Sequence, residues 1–158
     1  MPHKNTWNEI PEYVFRGTTL GHKGNYSSYT PPGCTHTTKN PIKAALFAIQ
    51  CPRYLTMPKV IFIAETWKLK NLNQLQGNHF YKEEEEINCE IQPLEFYKHC
   101  QGYIFLEEMK AGLKTIGKSV NEDWTFDNLT KQLKFQEEVK PEEIEKLMKV
   151  FKKLLKNA

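Results

Sequence analysis

One segment restricts the fold more than any other, because it joins a polar triplet directly to a helix start. Residues 36–38 read His-Thr-Thr, after which Asn40 suits the N-cap and Pro41 the first helical position. Apolar side chains then recur at helical spacing, at Ile42, Ala45, Leu46 and Ile49. The sequence therefore predicts a polar stretch that leads without a linker into an amphipathic helix, which Pro52 ends.

Strands are predicted on both sides of this helix, which makes the fold class α+β. The four segments are Glu12–Phe15, Lys59–Trp67, Ile87–Gln92 and Tyr103–Leu106. The first is expected to end at Arg16-Gly17, where a loop-like region over residues 17–40 begins. The second is a continuous apolar run, typical of a strand covered on both faces, and the third alternates like a half-buried strand. Pro93 is expected to bend the chain after the third strand.

Length and composition predict one domain and argue against several classes of protein. The 158 residues fit a single domain, since domains commonly hold roughly 100–200 residues. We divide the chain into a body, residues 1–110, and a helical appendage, residues 111–158, in which Pro141–Lys156 predicts an amphipathic helix. No apolar run approaches the ~20 residues of a membrane span, so no membrane partner is expected. Without a visible secretory signal, the 4 cysteines predict reduced thiols in the cytoplasm, or in a host cytosol if the chain is an effector.

Three other patterns have simpler explanations than the function they suggest. The run from Gly112 to Ser119 matches the phosphate-binding P-loop, but no strand precedes it and too little chain follows for a parallel sheet. Cys34-x-His36 and His99-Cys100 lack the paired spacing of zinc sites, so no metal is expected. The lysines that end the last helix suit nucleic acid, yet acids first and lysines last is also the order that the helix dipole favours.

Three separated pieces of sequence occur together in a fixed order. They are Tyr13-Val-Phe-Arg16-Gly17-Thr-Thr19, the segment from Thr35 to Ala48, and Phe80-Tyr81-Lys-Glu-Glu84-Glu-Glu86-Ile87. Together they resemble the ADP-ribosyltransferase superfamily on its arginine–serine–glutamate branch. That family has an arginine at the end of its first strand, a Ser-Thr-Ser-like triplet before a Pro-x-x-Ala-x-x-Phe-Ala helix, and a later Glu-x-Glu pair. His36 stands where the family usually has serine.

The resemblance implies a fold and a set of residues that bind NAD, the ADP-ribose donor. The fold would consist of split antiparallel β-sheets around an NAD cleft, with flanking helices. Arg16 would bind the phosphates or the adenosine ribose, and a guanidinium fork suits a pyrophosphate. Gly17 would let the backbone come close to the ligand. The triplet His36, Thr37 and Thr38 would lie near the nicotinamide ribose.

The resemblance also assigns the chemistry to two carboxylates. Glu86 would act on the donor ribose and Glu84 on the acceptor, while Phe80 or Tyr81 in the preceding loop would touch the target. The implied reaction is mono-ADP-ribosyl transfer from NAD to a macromolecule, with protein arginine favoured as the acceptor and nucleic acid an alternative. Two rivals stay open on the same fold: a non-catalytic NAD-binding module and a nucleic-acid-binding module.

Overall fold

The computed structural model describes residues 11–20, 35–49, 58–69, 72–74, 86–89, 93–120 and 138–157. Its strands are β1 (Tyr13–Thr19), β2 (Thr35–Thr38), β3 (Lys59–Glu65), β4 (Leu72–Gln74), β5 (Glu86–Cys89) and β6 (Gly102–Phe105). Its α-helices are α1 (Pro41–Ile49), α2 (Pro93–His99), α3 (Leu106–Thr115) and α4 (Pro141–Phe151). The predicted α+β class is confirmed.

The six strands form one antiparallel sheet in the order β4-β5-β2-β1-β3-β6. This differs from the two separate sheets that the resemblance implied. The sheet is nevertheless joined unevenly at its centre. β1 pairs with β3 along all 7 of its residues, whereas β1 and β2 share the single register pair Phe15↔Thr38. The β2-β5-β4 half therefore meets the β1-β3-β6 half at one narrow point.

Alternation of side chains along the strands gives the sheet two buried faces. On one, which we call the three-helix face, α1, α3 and α4 cover a core whose strand residues include Phe15, Ile61, Ile63 and Ile104. On the other, the α2 face, Phe96 and Tyr97 of α2 pack on Val14, Val60, Phe62 and Ala64. The prediction that the apolar run of β3 is covered on both faces is confirmed.

Helix α1 begins where the sequence predicted, and for the predicted reason. The Ile42 backbone N–H donates to Asn40 Oδ1 at 2.9 Å, as expected for an N-cap. At the other end, Lys59 Nζ donates to the carbonyl oxygens of Ala48 and Ile49 at 2.9 and 2.8 Å. A cation at a helix C-terminus satisfies free carbonyls and complements the dipole. The N-terminus of α1 is thus capped locally, and its C-terminus is fixed to β3 through Lys59.

The last described helix is shorter than predicted. The pattern suggested a helix to Lys156, but α4 ends at Phe151 and the chain turns back towards the sheet. There Lys156 and Tyr103 of β6 exchange two backbone hydrogen bonds of 2.9 Å. The apolar side of α4 contributes Leu147 and Phe151 to the same core as Phe15. The proposed boundary between residues 110 and 111 falls inside α3.

Candidate functional site

The three segments that carry the resemblance each contribute described residues to adjacent strands of the sheet: Tyr13–Thr19 forms β1, Thr35–Thr38 forms β2, and residues 86–87 begin β5. Phe15 on β1 is in register with Thr38 on β2, and Thr38 is in register with Glu86 on β5. Neighbouring strands lie about 4.8 Å apart, so the backbones of Glu86 and Phe15 are separated by about 10 Å. His36 pairs with Asn88 and Thr37 with Ile87 in the same ladder. The narrow junction of the sheet thus gathers these three segments.

Arg16 lies in the middle of its strand, and the prediction that the strand ends there is wrong. Pairing with β3 continues past it, through Gly17↔Ile61 to Thr19↔Lys59. Because a strand alternates, Arg16 projects to the α2 face beside Val14 and opposite its register partner Phe62. Its side chain is half-buried, and its Nε donates a hydrogen bond to the phenolic oxygen of Tyr97 at 3.3 Å.

Tyr97 is the contact that the sequence analysis missed. It lies on α2, which begins at Pro93, where only a bend was expected. Proline is favoured at the first helical position, because its missing N–H has no partner there and its φ is already helical. The aromatic pair Phe96-Tyr97 following that proline was the available signal. The helix packs its aromatic side chains on the α2 face, at the position of Arg16.

The two threonines of the triplet lie on opposite faces of the sheet. Thr38 is in register with Phe15 and therefore shares the three-helix face, where its Oγ1 accepts the Asn40 backbone N–H at 3.2 Å. Thr37, the next residue, alternates to the face of Arg16. Both are buried. Of the two, Thr37 is the one that the structure brings to the same face as Arg16.

Gly17 has a packing reason to be glycine. A Cβ at this position would overlap the carbonyl oxygen of Ala44 and lie 2.8 Å from the Ala48 backbone nitrogen, both on α1. The close backbone approach that Gly17 allows is therefore that of α1 on the three-helix face. Its expected role beside a ligand stays a prediction.

Several predicted site residues are placed only in part. Glu84, Phe80 and Tyr81 lie outside the described residues. Glu86 is in register with Thr38, and His36 lies two positions before Thr38 on β2, so both positions belong to the three-helix face. The sheet therefore brings Thr37, but not His36 or Glu86, to the face of Arg16. The acceptor side of the predicted site therefore stays a prediction, as does the pairing of Glu84 with Glu86 on one strand.

The P-loop match is the end of a helix. Residues 112–115 form the last turn of α3, and Gly117 has a left-handed φ of 76°. The backbone N–H groups of Gly117 and Lys118 donate to the carbonyls of Lys114 and Leu113, a common helix C-terminal arrangement. Phosphate loops present N–H groups at a helix N-terminus, and this segment has the opposite polarity. Lys118 Nζ lies 3.7 Å from a Glu143 carboxylate oxygen.

Within the described ranges, no group of three or more histidine, cysteine, aspartate or glutamate side chains is placed to hold a metal ion. None of the helices in these ranges has both the length and the apolarity to cross a bilayer.

The lysines of α4 and the following turn lie at the surface; they are Lys146, Lys149, Lys152 and Lys153. Glu142 and Glu145, nearer the start of α4, are exposed as well.

Comparisons of the chain with protein-family models, with curated protein sequences and with solved structures find no match.

Proposed function

We propose that this chain is a mono-ADP-ribosyltransferase, which transfers ADP-ribose from NAD to a macromolecular acceptor and releases nicotinamide. One observation supports this most: described residues of all three segments that resemble the superfamily lie on the adjacent strands β1, β2 and β5, with Glu86 and Ile87 representing the third segment. These segments are far apart in sequence, so their meeting at one junction is not a consequence of chain proximity. An antiparallel α+β scaffold agrees with the proposal.

The residues at the junction suit an anionic dinucleotide. Arg16 offers a planar fork of donors that matches phosphate oxygens, and its half-buried position on the α2 face strengthens a contact with an anion. Thr37 adds a hydroxyl on the same face. We therefore assign the pyrophosphate of NAD to Arg16 and the nicotinamide ribose to Thr37 of β2, which shares its face. NAD supplies the ADP-ribose group, and the protein binds and orients it.

The carboxylates carry the proposed transfer. The bond between the ribose and nicotinamide breaks, nicotinamide leaves with the bonding electron pair, and the acceptor nucleophile bonds to the same ribose carbon. Glu86 would stabilise the positive charge that develops on the ribose. Electrostatic stabilisation of this kind commonly lowers the activation barrier by several kcal/mol. Glu84 would orient the acceptor and take its proton. The four cysteines and the expected reduced thiols lead us to place this reaction in the cytosol.

The test is to incubate the protein with labelled NAD and measure two products, free nicotinamide and labelled acceptor. Acceptors should include an arginine-rich protein, which the resemblance favours, and single-stranded and double-stranded nucleic acid, for which the exposed lysines of α4 are the reason. We expect Glu86→Gln to lower nicotinamide release by at least about 100-fold, the effect of losing one group that stabilises a transition-state charge. Glu84→Gln should block labelling yet leave slow hydrolysis of NAD.

Glu107→Gln is the matched control, because Glu107 is an exposed glutamate of α3 that pairs with Lys110. It should match the wild type in both measurements. Binding of NAD without nicotinamide release would favour the non-catalytic module instead. If neither binding nor release is detected, or if the Glu86 and Glu107 variants behave alike, the transferase proposal is wrong.

A further inference from the structure

Arg16 is held by a residue that belongs to none of the three resembling segments. Its Nε donates to the phenolic oxygen of Tyr97, which lies 81 positions later in the chain. The Nε–H bond lies in the plane of the guanidinium group, so an acceptor at this atom restricts how that plane can rotate. The contact therefore affects the direction in which the rest of the fork points.

The Tyr97 ring is itself held tightly. It is 6% exposed and packs against Phe62 with ring centroids 4.4 Å apart, and against Phe96 at 5.5 Å. Phe62 is also the register partner of Arg16 on β3. At the end of α2, the Cys100 thiol donates to the Tyr97 carbonyl oxygen at 3.3 Å. The phenolic oxygen is thus presented to Arg16 by a packed cluster.

We propose that Tyr97 is a positioning residue for the anion site at Arg16. Its phenolic oxygen holds the guanidinium plane in the orientation that receives two phosphate oxygens, so less side-chain freedom is lost when the ligand binds. The inference rests on the proposed function in one respect: the proposed function supplies the ligand, a dinucleotide pyrophosphate. Tyr97 acts through Arg16 and touches neither the ribose nor the acceptor.

The experiment compares Tyr97→Phe with Tyr103→Phe. Each removes one hydroxyl from a ring packed against Phe62, since Tyr103 lies 5.5 Å from Phe62 between centroids. Calorimetric titration with NAD should give a Kd raised roughly tenfold for Tyr97→Phe, the effect of losing a hydrogen bond to a charged group, and unchanged for Tyr103→Phe. In turnover assays KM should rise while kcat stays unchanged, and the Tm of the two variants should agree.

A second comparison separates positioning from packing. In an Arg16→Ala background, Tyr97→Phe should weaken NAD binding no further, because the group that it orients is gone. An equal further loss in that background would show that Tyr97 acts through packing alone and would overturn the inference. Equal Kd values for Tyr97→Phe and the wild type would also overturn the inference. If Arg16→Ala weakened NAD binding in that case, the proposed function would stand without the role of Tyr97. A wild-type protein that does not bind NAD would overturn both proposals.

Discussion

The two faces of the sheet are both apolar, but they are built differently. The three-helix face buries large side chains from α1, α3 and α4, among them Leu113, Leu147 and Phe151. In the described residues, the α2 face is covered by α2, a helix of 7 residues, whose Phe96 and Tyr97 rings pack on sheet residues such as Phe62. It also holds a half-buried cation, Arg16, with a hydrogen bond to Tyr97.

This difference separates two requirements that conflict within one core. A well-packed apolar core excludes charge, because burying an ion without a partner is costly. A site for an anionic ligand needs such an ion near low-dielectric surroundings, where its attraction is stronger. Phe15 and Arg16 are neighbours in sequence but lie on opposite faces of β1, so the proposed anion site at Arg16 is separate from the core around Phe15. We therefore expect variants on the two faces to affect different measurements.

The largest expected effect is on the three-helix face. Phe151 is fully buried and lies against Gly112 of α3 in the central cluster. Phe151→Ala should lower the free energy of unfolding by about 3–5 kcal/mol, the range for removing a buried phenylalanine. Val150→Ala is the control, because Val150 is the neighbouring residue and is 42% exposed. Chemical denaturation measures the free energy of unfolding of both variants. If the folded fraction of Phe151→Ala bound NAD with a higher Kd than the wild type, the separation of the two faces would be contradicted.

A change at Gly17 tests the close packing of α1 against β1 on the three-helix face. An added Cβ collides with the α1 backbone, which cannot move aside as a side chain can. Gly17→Ala should therefore cost about 3 kcal/mol, the upper end of the usual range for overpacking. At Gly117 the space is open and the strain comes only from the φ of 76°, so Gly117→Ala should cost about 1–2 kcal/mol. Thermal unfolding measures the two variants, and equal losses would show that the α1 approach is less tight than described.

The smallest expected effect is a pH dependence that belongs mainly to the three-helix face. Burial alone raises the pKa of Glu108, but hydrogen bonds from Lys156 Nζ and the Phe105 backbone N–H outweigh it and leave that pKa below its ordinary 4.5. The pKa of Glu143 is also lowered, first by the Lys140 backbone N–H. A pKa that is lower in the folded state contributes stability above the unfolded value, and that stability is lost as pH falls through the folded value.

Acid should therefore weaken the attachments of α3 and α4 as pH falls below about 4.5. Glu108→Gln should make the free energy of unfolding less dependent on pH in this acid range, measured by denaturation at a series of pH values. Glu107→Gln, at the adjacent exposed position of α3, should keep the wild-type dependence. The pKa of Glu65, at the end of β3, is lowered too, chiefly by a hydrogen bond from the Trp67 indole, so a residual acid dependence is expected in both variants.

The sequence predicted correctly those elements whose local pattern of caps and apolar residues matches the way they pack in the fold. Helix α1 has its cap at Asn40 and its proline at the first position, and β3 has an uninterrupted apolar run. Helix α2 was missed because its proline was interpreted as a break. Helix α3 has apolar residues at the helical spacing 106, 109 and 113, but Gly112 near its end and Gly117-Lys118 after it also match the pattern of a phosphate loop. Strand β4 (Leu-Asn-Gln) has no alternation that would predict a strand, and it forms by pairing with β5.

The candidate site was predictable only as a set of segments. Gly17 indicated the end of a strand, yet pairing with β3 supplies backbone partners through Thr19, and Arg16 lies mid-strand as a result. No spacing in the sequence could have joined Arg16 to Tyr97, because that contact depends on how α2 packs across the sheet. The division of Thr37 and Thr38 between opposite faces depends in the same way on register, which is set by tertiary pairing.

The backbone bridge between Tyr103 and Lys156 has a consequence for association between molecules. Among the described strands, β6 is the outermost on its side of the sheet, and an exposed edge can recruit a strand from another chain. Here the N–H and carbonyl of Tyr103 are both occupied by Lys156, and an added Cβ at Gly102 would strike the Lys156 carbonyl oxygen. Lys156 is also held by its ion pair with Glu108 and lies 4.6 Å from the centroid of the Phe105 ring. The segment thus acts as a cover that keeps this edge from growing into a sheet shared between molecules.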